Sequence, residues 1–496
     1  MAINAGDNLN SVPAPIQQTL SSNYLDLMTS TGWGQQYVPD LMEKAAEVFG
    51  PRTISGFLSQ VGAEEAMTAD QVIWSEQGRL HLSYKCNTSG DNTIVVQQDI
   101  DGAKGAGTGT VGISNTLTGT HHGVRVNDTI IVSNPNGVFK CVVTDVNTDT
   151  LTVKRYDAAT LLTAGAAGPL LTTILVYGSE YGKGQKYNDN SGAADARTSN
   201  EPVFQTFTNK PIILKDYYEV SGSDSSRIGW VEVSTEMGQS GYLWYLKAES
   251  DTRARFNDYL EMSMLESIKG GSGNTADTLI LGSDNDTGIG TQGLFDAIED
   301  RGNVTTGVTG VNAATDLAEF DAILAEFDKQ GAIEEYMMFV IRATSLAMDD
   351  MLASMNSYGA GGTSYGVFDN DEDMALNLGF SGFRRGSYDF YKSDFRYLND
   401  LATRGGINAA NTANAIRGVM IPAGVSTVYD QQMGKNMKRP FLHVRYRASA
   451  TDDRRLKTWV TGSVGAATSA LDAMQLHFLS ERCLITQGAN NFMLMK

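Results

Sequence analysis

The feature that most constrains the fold is one long helical pattern near the middle of the chain. Between Thr235 and Lys269, apolar and small residues recur at spacings of three and four until Gly270-Gly271 interrupts them. A helix of about 35 residues would be ~50 Å long, against a mean of ~11 to 12 residues in globular proteins. The pattern lacks the sustained aliphatic heptads of a coiled coil. It therefore predicts a spine helix over residues 236–269 on which sheets pack.

The residues before this helix have the patterns of strands. From Gln71 to Tyr84, apolar and polar residues alternate with the period of a half-buried strand. Short runs of Val, Ile and Thr then predict a small inserted β-domain, a barrel or sandwich, at about residues 86–178. With further strand patterns up to Val233, residues 71–235 are predicted to form a long β-hairpin that carries this insert. The runs within the insert are Thr93–Val96, Thr129–Val132, Phe139–Val143 and Thr150–Val153.

Residues 1–70 differ from the rest because they are polar and contain few apolar side chains. One short helix is predicted at Pro39–Phe49, where Pro39 and Asp40 suit a helix start and Gly50-Pro51 suits a stop. This composition predicts an N-terminal arm rather than a domain.

The residues after the spine helix mix helix and strand patterns. An amphipathic stripe from Leu317 to Phe327 predicts a helix, Tyr336–Ile341 a strand, and Leu346–Met355 a second helix. This succession is typical of an α/β or α+β module, which we place at residues 305–440, after a spine unit at residues 236–304. We expect the strand patterns in residues 441–496 to return to the earlier sheets. Strands are predicted at Val419–Ile421, Phe441–Tyr446, Thr458–Val460, Gln475–Leu479 and Phe492–Met495.

The composition limits the classes of partner. Charged residues make up 19% of the chain, Gly supplies 52 of 496 residues, and the net charge is −19. Ordinary soluble proteins have about 25% charged residues and ~7% Gly, so this composition indicates surface that neighbouring chains cover. The negative field opposes binding to phosphate backbones and anionic membranes. Residues 1–18 have no signal-peptide pattern, and no stretch approaches the ~20 apolar residues of a membrane span.

Several motifs resemble functional sites but lack a feature that the site requires. Gly107–Gly112 fits a dinucleotide loop, but no helix pattern follows it. Asp284–Gly288 lacks the glycine position and the bidentate Glu of a calcium loop. The acidic cluster Asp369–Asp373 is interpreted as a solvated charge run, with an ion or a basic partner as the alternative. The histidines and cysteines have no metal-ligand or redox spacing; they are His81, His121, His122, His443, His477, Cys86, Cys141 and Cys483.

The remaining candidates are basic clusters and tryptophans. The basic clusters suggest DNA, but salt bridges to an acidic face of a neighbouring subunit are the favoured interpretation. The tryptophans are interpreted as core residues rather than as stacking platforms for a glycan. We therefore predict no catalytic, cofactor-binding or metal-binding residues and no enzyme. The residues concerned are Arg253, Arg255, Arg384-Arg385, Lys435–Arg439, Arg454-Arg455, Lys457, Trp74, Trp230, Trp244 and Trp459.

The order of these parts resembles the major capsid proteins of tailed bacteriophages and herpesviruses. The likeness covers about Gln71 to Lys496 and includes Gly293–Ile298, Val419–Pro422, Phe478–Arg482 and Gly488–Phe492. Within this family the sequence looks most like the major capsid proteins of crAss-like phages. The insert at residues 86–178 is additional to the minimal fold, and the arm is shorter than a long cleaved scaffolding segment.

The resemblance implies a Hong Kong 97-type α+β fold with an N-arm, an E-loop, a P-domain and an A-domain. It also implies a subunit of the icosahedral head that forms hexamers and pentamers around double-stranded DNA. Partners would be other copies of itself, portal, decoration or head-fibre proteins, and packaged DNA without sequence-specific contact. The location would be the virion, after synthesis in the bacterial cytoplasm.

Two other classes of function stay open at this point. Another phage assembly protein, such as a tail sheath or portal subunit, would share the glycine content and the β-rich insert. A cytosolic hydrolase or a glycan-binding protein would instead use an Asp/Glu pair or the tryptophans.

Overall fold

The structure is a computed structural model, and its contacts divide the chain into two units. It describes residues 63–77, 81–88, 92–100, 113–115, 122–157, 170–184, 200–202, 204–225, 232–234, 240–270, 290–331, 333–356, 382–423, 425–430, 435–464 and 467–496. One unit comprises Val72–Thr208, and the other the described residues before and after it. The predicted arm therefore lies outside the described residues up to residue 62, as does the predicted helix Pro39–Phe49.

The unit Val72–Thr208 is built around a closed antiparallel barrel. Its inward side chains come from alternate positions, and Ile94, Ile130, Leu151 and Ile174 have no exposed surface. Two short strand pairs, β2 with β11 and β5 with β10, complete the described part of the unit. The barrel strands, in their order around it, are β3 (Ser83–Thr88), β4 (Thr93–Asp99), β8 (Thr150–Arg155), β7 (Gly137–Asn147), β6 (Asp128–Asn134) and β9 (Leu170–Ser179). The other strands are β2 (Val72–Gln77), β5 (Ile113–Asn115), β10 (Asn200–Pro202) and β11 (Phe204–Asn209).

The second unit contains two open sheets. In the five-stranded sheet, the long strand β24 pairs with β12 along one edge and with β22 and β23 along the other, and β1 pairs in parallel with β22. The bounds are β1 (Ala63–Met67), β12 (Ile212–Ser221), β22 (Leu442–Arg447), β23 (Lys457–Gly462) and β24 (Ala473–Thr486).

The six-stranded sheet has the order β15-β25-β19-β16-β18-β17. Its strands are β15 (Asn303–Thr305), β16 (Glu335–Val340), β17 (Gly382–Arg385), β18 (Tyr388–Asp394), β19 (Gly418–Pro422) and β25 (Met493–Met495). Separate two-stranded pairs are β13 (Glu232–Ser234) with β14 (Ser240–Tyr242) and β20 (Val425–Asp430) with β21 (Lys435–Pro440).

Helices pack on these sheets through their apolar sides. Phe256 of α1 packs on Phe478 of β24 with ring centroids 5.8 Å apart, and Phe327 of α3 stacks on Tyr336 of β16 at 4.4 Å. The side chain of Asn312 caps α3 by accepting from the Thr315 amide, and left-handed Gly331 ends it. The helices are α1 (Leu243–Glu266), α2 (Leu294–Arg301), α3 (Ala313–Gln330), α4 (Arg342–Asn356) and α5 (Arg404–Ala410), with single turns at Gly222–Ser225 and Arg396–Asn399 and 3₁₀ turns at Thr412–Asn414 and Ala489–Asn491.

The predicted spine helix is longer than the observed one. Helix α1 runs from Leu243 to Glu266 rather than over residues 236–269. Its start is later because Ser240–Tyr242 pair with Glu232–Ser234 as strand β14, a pairing that helical spacing does not encode. The predicted single strand from Gln71 to Tyr84 is likewise divided, since β2 pairs with β11 whereas β3 belongs to the barrel. The mixed α+β class, rich in strands, agrees with the prediction.

Candidate interaction surface

The sheet formed by β12, β24 and β23 has one face covered by helix α1. Phe256 and Leu260 of the helix form a buried cluster with Leu476 and Phe478 of β24, and Leu214 of β12 packs against them. Because successive residues of a strand point to opposite faces, the alternate residues must lie on the other side of the sheet. We call that side the outer face.

A row of three rings crosses the outer face. Tyr217 of β12 and Trp459 of β23 each lie directly opposite His477 of β24 in the strand register. The indole of Trp459 stacks on the imidazole with centroids 5.1 Å apart and planes at 18°, and the Tyr217 ring stacks on its far side at 6.1 Å and 29°. We call these three residues the aromatic row. Cross-strand aromatic pairs of this kind each stabilise a sheet by about 0.2 to 1 kcal/mol.

Polar neighbours fix the orientation of the imidazole. The Thr461 hydroxyl and His477 Nε2 are 2.7 Å apart, and the Thr461 hydroxyl also lies 3.3 Å from Gln475 Oε1. The Gln475 amide in turn donates to Glu219 at 2.7 Å. On the other side of the row, Leu479 lies opposite Lys215 and Lys457 in the register. The rings are thus bordered by a row of lysines on one side and by a hydrogen-bonded carboxylate on the other.

The outer face stays open to solvent along β12. Tyr217 is 58% exposed and Ile213 is 51% exposed, although both are large apolar side chains in a regular strand. Flat exposed aromatic surface bordered by charges has the composition of protein interfaces, where Tyr and Trp are enriched. Chemically the face can stack against an apolar or aromatic surface and pair with charges at its borders.

A network of ion pairs lies where β1 joins this sheet. Glu65 of β1 pairs with Arg445 of β22 at 2.9 Å, and Glu64 pairs with Arg455. Glu481 is buried between Arg454 at 2.7 Å and Arg447 at 3.2 Å. Burial of Arg482 lowers the pKa of its guanidinium, and the charge of Glu64 acts in the opposite direction. The network fixes the residues that follow the N-terminal segment to strands near the carboxyl end of the chain.

A cleft of ≈ 430 Å³ lies where α3 and α4 begin. Its lining combines apolar Val308 and Ile341 with polar Asp316 and Arg417. The Arg417 guanidinium donates to the carbonyls of Val308 and Lys496, and burial lowers its pKa. The Asp316 carboxylate accepts from the Gly310 amide. These bonds tie the loop before α3 to the edge of the six-stranded sheet.

Several residues that the sequence singled out lie outside the described residues. They are Gly107–Gly112, His121, Trp230, Asp284–Gly288 and Asp369–Asp373. The side chains of Trp244 and of Lys435–Arg439 are also not described, although their backbones belong to α1 and β21.

Most of the remaining candidates have structural contacts. His122 is buried in the barrel unit, where its Nδ1 accepts from the Val124 amide and its Nε2 donates to the Thr148 carbonyl. His443 is buried and His81 is exposed. The Trp74 indole donates to Glu76. Among the singled-out histidines and tryptophans whose side chains the structure describes, His477 and Trp459 are brought together. Their sequence separation gave no sign of this, since the strand register alone aligns them.

The three cysteines are buried free thiols. Burial raises the pKa of the Cys141 thiol to about 11 and that of Cys483 to about 12, and it raises the pKa of Cys86 still further. Within the part of the chain that the structure describes, no three His, Cys, Asp or Glu residues are grouped so that they could hold a metal ion.

The basic clusters with described side chains pair within the chain. Arg385 forms a bidentate contact with Asp321, and Arg255 lies 3.4 Å from Asp216. The sequence predicted an acidic neighbouring subunit as their partner. In the structure, carboxylates of the same chain contact them, some from distant residues, as Asp321 does, and some from the same helix, as in the pair of Arg253 with Glu249. The other pairs are Arg253 with Glu249, Arg384 with Asp389, and Lys457 with Asp452.

Comparisons with known proteins give matches among solved structures only. No family model matches the sequence, and no curated protein matches it. The chain is similar to a structure from Microbacterium phage Oxtober96, with 9% identity, a TM-score of 0.38, and coverage of 93% of this chain and 96% of that chain. The asymmetric unit of the bacteriophage PhiM1 mature capsid gives 12% identity, a TM-score of 0.30, and coverage of 64% and 78%.

The capsid structure of the cyanophage P-SCSP1u gives 9% identity, a TM-score of 0.31, and coverage of 64% and 80%. All three structures come from bacteriophages. At TM-scores below 0.5 these likenesses are too distant to assign a function. Among the described residues, no helix is both long and apolar enough to cross a membrane.

Proposed function

We propose that this chain is a structural subunit of the icosahedral head of a tailed bacteriophage. In this proposal it is a major capsid protein with a Hong Kong 97-type fold, most like those of crAss-like phages. Copies assemble into hexamers and pentamers that enclose the double-stranded DNA genome. The protein is not an enzyme, and it takes no cofactor or metal.

The outer face with its aromatic row is the observation that carries this proposal. Tyr217 and Ile213 are more than half exposed on a regular sheet, beside the stacked rings of His477 and Trp459. Covering such side chains contributes about 25 cal/mol per Å² of apolar surface removed from water, which favours association. A subunit that is surrounded by copies of itself buries such a surface against its neighbours, whereas a small ligand binds in a concave site rather than on the face of a sheet.

The parts of the chain receive the following roles in the proposal. Residues 1–70 are the N-arm, residues 71–235 the E-loop with its inserted β-domain at about 86–178, and residues 236–304 the P-domain with the spine helix. Residues 305–440 are the A-domain, and residues 441–496 return as strands of the P- and A-domains. The arm and the hairpin flanks Trp74–Tyr84 and Val203–Val233 form contacts between subunits.

The partners follow from this role. The main partner is the chain itself, and further partners are portal, decoration or head-fibre proteins. Packaged DNA is enclosed without sequence-specific contact, which the net charge of −19 supports because a lining that attracted phosphate would oppose packing and release. The protein is made in the bacterial cytoplasm and resides in the virion.

Negative-stain electron microscopy with sedimentation tests the proposal. The chain is expressed alone and together with the products of the neighbouring genes. Closed shells or capsomer rings are the expected result. Tubes would indicate a tail sheath and a single dodecameric ring a portal, while a monomer under all conditions would contradict a structural subunit altogether.

A substitution in the aromatic row tests the observation that carries the proposal. We expect Tyr217→Ser to reduce the yield of shells at least tenfold, because an aromatic side chain at the centre of an interface contributes about 2 kcal/mol or more. Tyr391→Ser is the matched control, since Tyr391 is a strand tyrosine that is 54% exposed on the other sheet. Equal loss in both variants would show that general destabilisation, not the outer face, is responsible.

A further inference from the structure

One side of the barrel carries an exposed apolar stripe. Strand β9 alternates, so that Thr172 and Ile174 are buried while Leu171 and Tyr177 point outward with 81% and 51% of their surface exposed. Leu175 lies between them on the same outward side and is 38% exposed. The ten residues of β9 include no charged side chain. An isolated exposed leucine is ordinary, but a continuous row along one strand marks an interaction surface.

Lysines flank the stripe on both sides. On one side, Lys85 of β3 lies opposite Thr173 of β9 in the register. On the other side, Ile131 of β6 lies opposite Leu175, and Lys140 of β7 lies opposite Ile131. Both lysines are exposed, and neither has an ion pair with a described carboxylate. We call the outward side chains of β3, β9, β6 and the first half of β7 the lysine-flanked face.

The strands of this face carry few carboxylates, although exposed Glu180 follows directly after β9, where it accepts from the Tyr156 hydroxyl. The only carboxylate in β3, β9 and β6 is Asp128, which is 1% exposed and accepts from the Arg125 amide. On β7 the single carboxylate is Asp145, which lies beyond the bulge after Val143. Such a local excess of cations is unusual in a chain whose net charge is −19. Its complement is an acidic surface with apolar side chains.

We propose that the lysine-flanked face docks on an acidic surface of a second copy of this chain. The charge complementarity identifies the occupant, because a second copy of a chain with 57 acidic and 38 basic residues presents predominantly acidic surface. The inference rests on the proposed function, since it names one surface through which the copies associate. It concerns the barrel alone and is independent of the aromatic row.

Nucleic acid fits the same face less well. A phosphate backbone needs cationic or hydrogen-bonding side chains along its path, and binding strength follows the number of phosphates neutralised. The centre of this face is the uncharged strand β9, where Leu171 and Leu175 would meet the backbone instead. Apolar side chains between two cations match a protein surface better.

The test reverses two charges in the full-length chain. We compare the wild type with K85E/K140E and with the control K183E/K329E, which makes the same change at two exposed lysines outside the face. Association is measured by sedimentation velocity over a range of protein and salt concentrations. We expect K85E/K140E to weaken association at least tenfold, and we expect added salt to weaken the wild type more than this variant. The control should associate as the wild type does.

A second pair of variants separates the surface from folding. L171S/L175S should also weaken association, and K85Q/K140Q should do so by a smaller factor than charge reversal. Protection of Cys86 and Cys141 from a thiol reagent reports an intact barrel in each variant, since both thiols are buried in it. A variant that keeps this protection but loses association supports the inference.

Two results would overturn the inference in distinguishable ways. Shells from K85E/K140E in wild-type yield would refute the docking surface and leave the proposed function standing, whereas a wild type that never associates would refute both. Retention of a short DNA duplex by the wild type but not by K85E/K140E, with unchanged self-association, would make nucleic acid the occupant.

Discussion

The barrel and the six-stranded sheet differ in the sequence separation of their paired strands and in whether the sheet is closed. In the barrel, β3 pairs with β4, β6 with β7 and β7 with β8, so three of its pairings join neighbours in sequence. Because the barrel is closed, each of its strands pairs with two others. In the six-stranded sheet, Asn303 pairs with Met493 and Val340 with Gly418, and among the described strands the outermost two, β15 and β17, each have one partner.

The six-stranded sheet therefore depends on contacts between residues far apart in sequence, whereas the barrel depends on them less. Loop-closure entropy must be overcome before non-local strands gain their contacts, which makes such sheets slow to form. The short strand β25 lies between β15 and β19, so one segment near the carboxyl end holds two parts of the sheet together. The barrel needs no residue beyond Ser179 to close. We therefore expect damage to spread in the open sheet and to stay local in the barrel.

Removal of residues 492–496 should have the largest effect. The deletion removes Phe492, Met493, Leu494 and Met495, which are each at most 2% exposed. At about 1.5 to 3 kcal/mol for each buried side chain, the loss is ~6 to 12 kcal/mol, comparable to the whole stability of a domain. Hydrogen exchange with mass spectrometry should show lost protection in β15, β16 and β19 and retained protection in the barrel. Equal loss of protection in the barrel would contradict the independence of the two units.

Loss of one partner from a buried ion pair should have the next largest effect. Lys392 of β18 contacts Asp349 of α4 and donates to the Ser345 carbonyl at 3.1 Å. The side chain of Lys392 is 5% exposed and that of Asp349 is 10% exposed. Lys392→Met removes the cation from a contact with a buried carboxylate, and we expect a loss of about 3 to 5 kcal/mol in the free energy of unfolding. The exposed pair of Lys329 with Glu326 gives the control Lys329→Met, which should cost at most about 1 kcal/mol. Chemical denaturation measures both, and similar losses would argue that the burial of Lys392 is unimportant.

A cavity in the barrel should destabilise the barrel alone. Ile130 has no exposed surface and belongs to a cluster confined to this unit. Ile130→Ala should lower the stability of the barrel by about 2 to 5 kcal/mol, while Val138→Ala at a 68% exposed position should change it by less than ~0.5 kcal/mol. Hydrogen exchange can show whether the six-stranded sheet stays protected. A parallel loss in that sheet would mean that the two units unfold together.

The buried thiols should have no such effect on stability near neutral pH, where they are protonated in both the native and the unfolded state, and they report on both units. Native thiols with a raised pKa stay protonated while those of the unfolded chain ionise near pH 9, so the stability that they contribute falls as pH rises above that value. The slope is about −1.4 kcal/mol per pH unit for each thiol until its native pKa is reached, near 11 for Cys141. Mass spectrometry after alkylation in denaturant should show Cys483 labelled independently of Cys86 and Cys141. Simultaneous labelling at all denaturant concentrations would indicate a single cooperative unit.

The sequence predicts elements better than it predicts their partners. The apolar runs at Thr93–Val96 and Thr129–Val132 lie within β4 and β6, and the stripe from Leu317 to Phe327 lies within α3. These patterns are local, because burial of one face imposes a period of two or of about 3.6 residues. The start of α1 was predicted too early because the β13–β14 pairing is invisible to that period.

The candidate surface could hardly be predicted from the sequence, because it depends on which strands pair and in which register. Tyr217 was not singled out, His477 was interpreted as a histidine without metal-ligand spacing, and Trp459 was interpreted as a core residue. Only the register of β12, β23 and β24 stacks the three rings, and one residue of slip would send one of them to the opposite face. The ion pairs between distant residues, such as Arg385 with Asp321, were missed for the same reason, since charge runs do not indicate which carboxylate the fold brings near.

The pairing of β12 with β24 cannot form until the ribosome has synthesised nearly the whole chain. Glu219 and Gln475 are 256 positions apart, yet their side chains are hydrogen-bonded across adjacent strands. The ribosome synthesises about 5 to 20 residues per second, so β24 is completed roughly 13 to 50 seconds after β12. During that interval the barrel strands are already complete, whereas the apolar side of β12 has no strand partner from β24 and needs protection from premature contacts, which chaperones or helix α1 can supply. Release of an association-competent protein is thereby delayed until translation has reached its final strands.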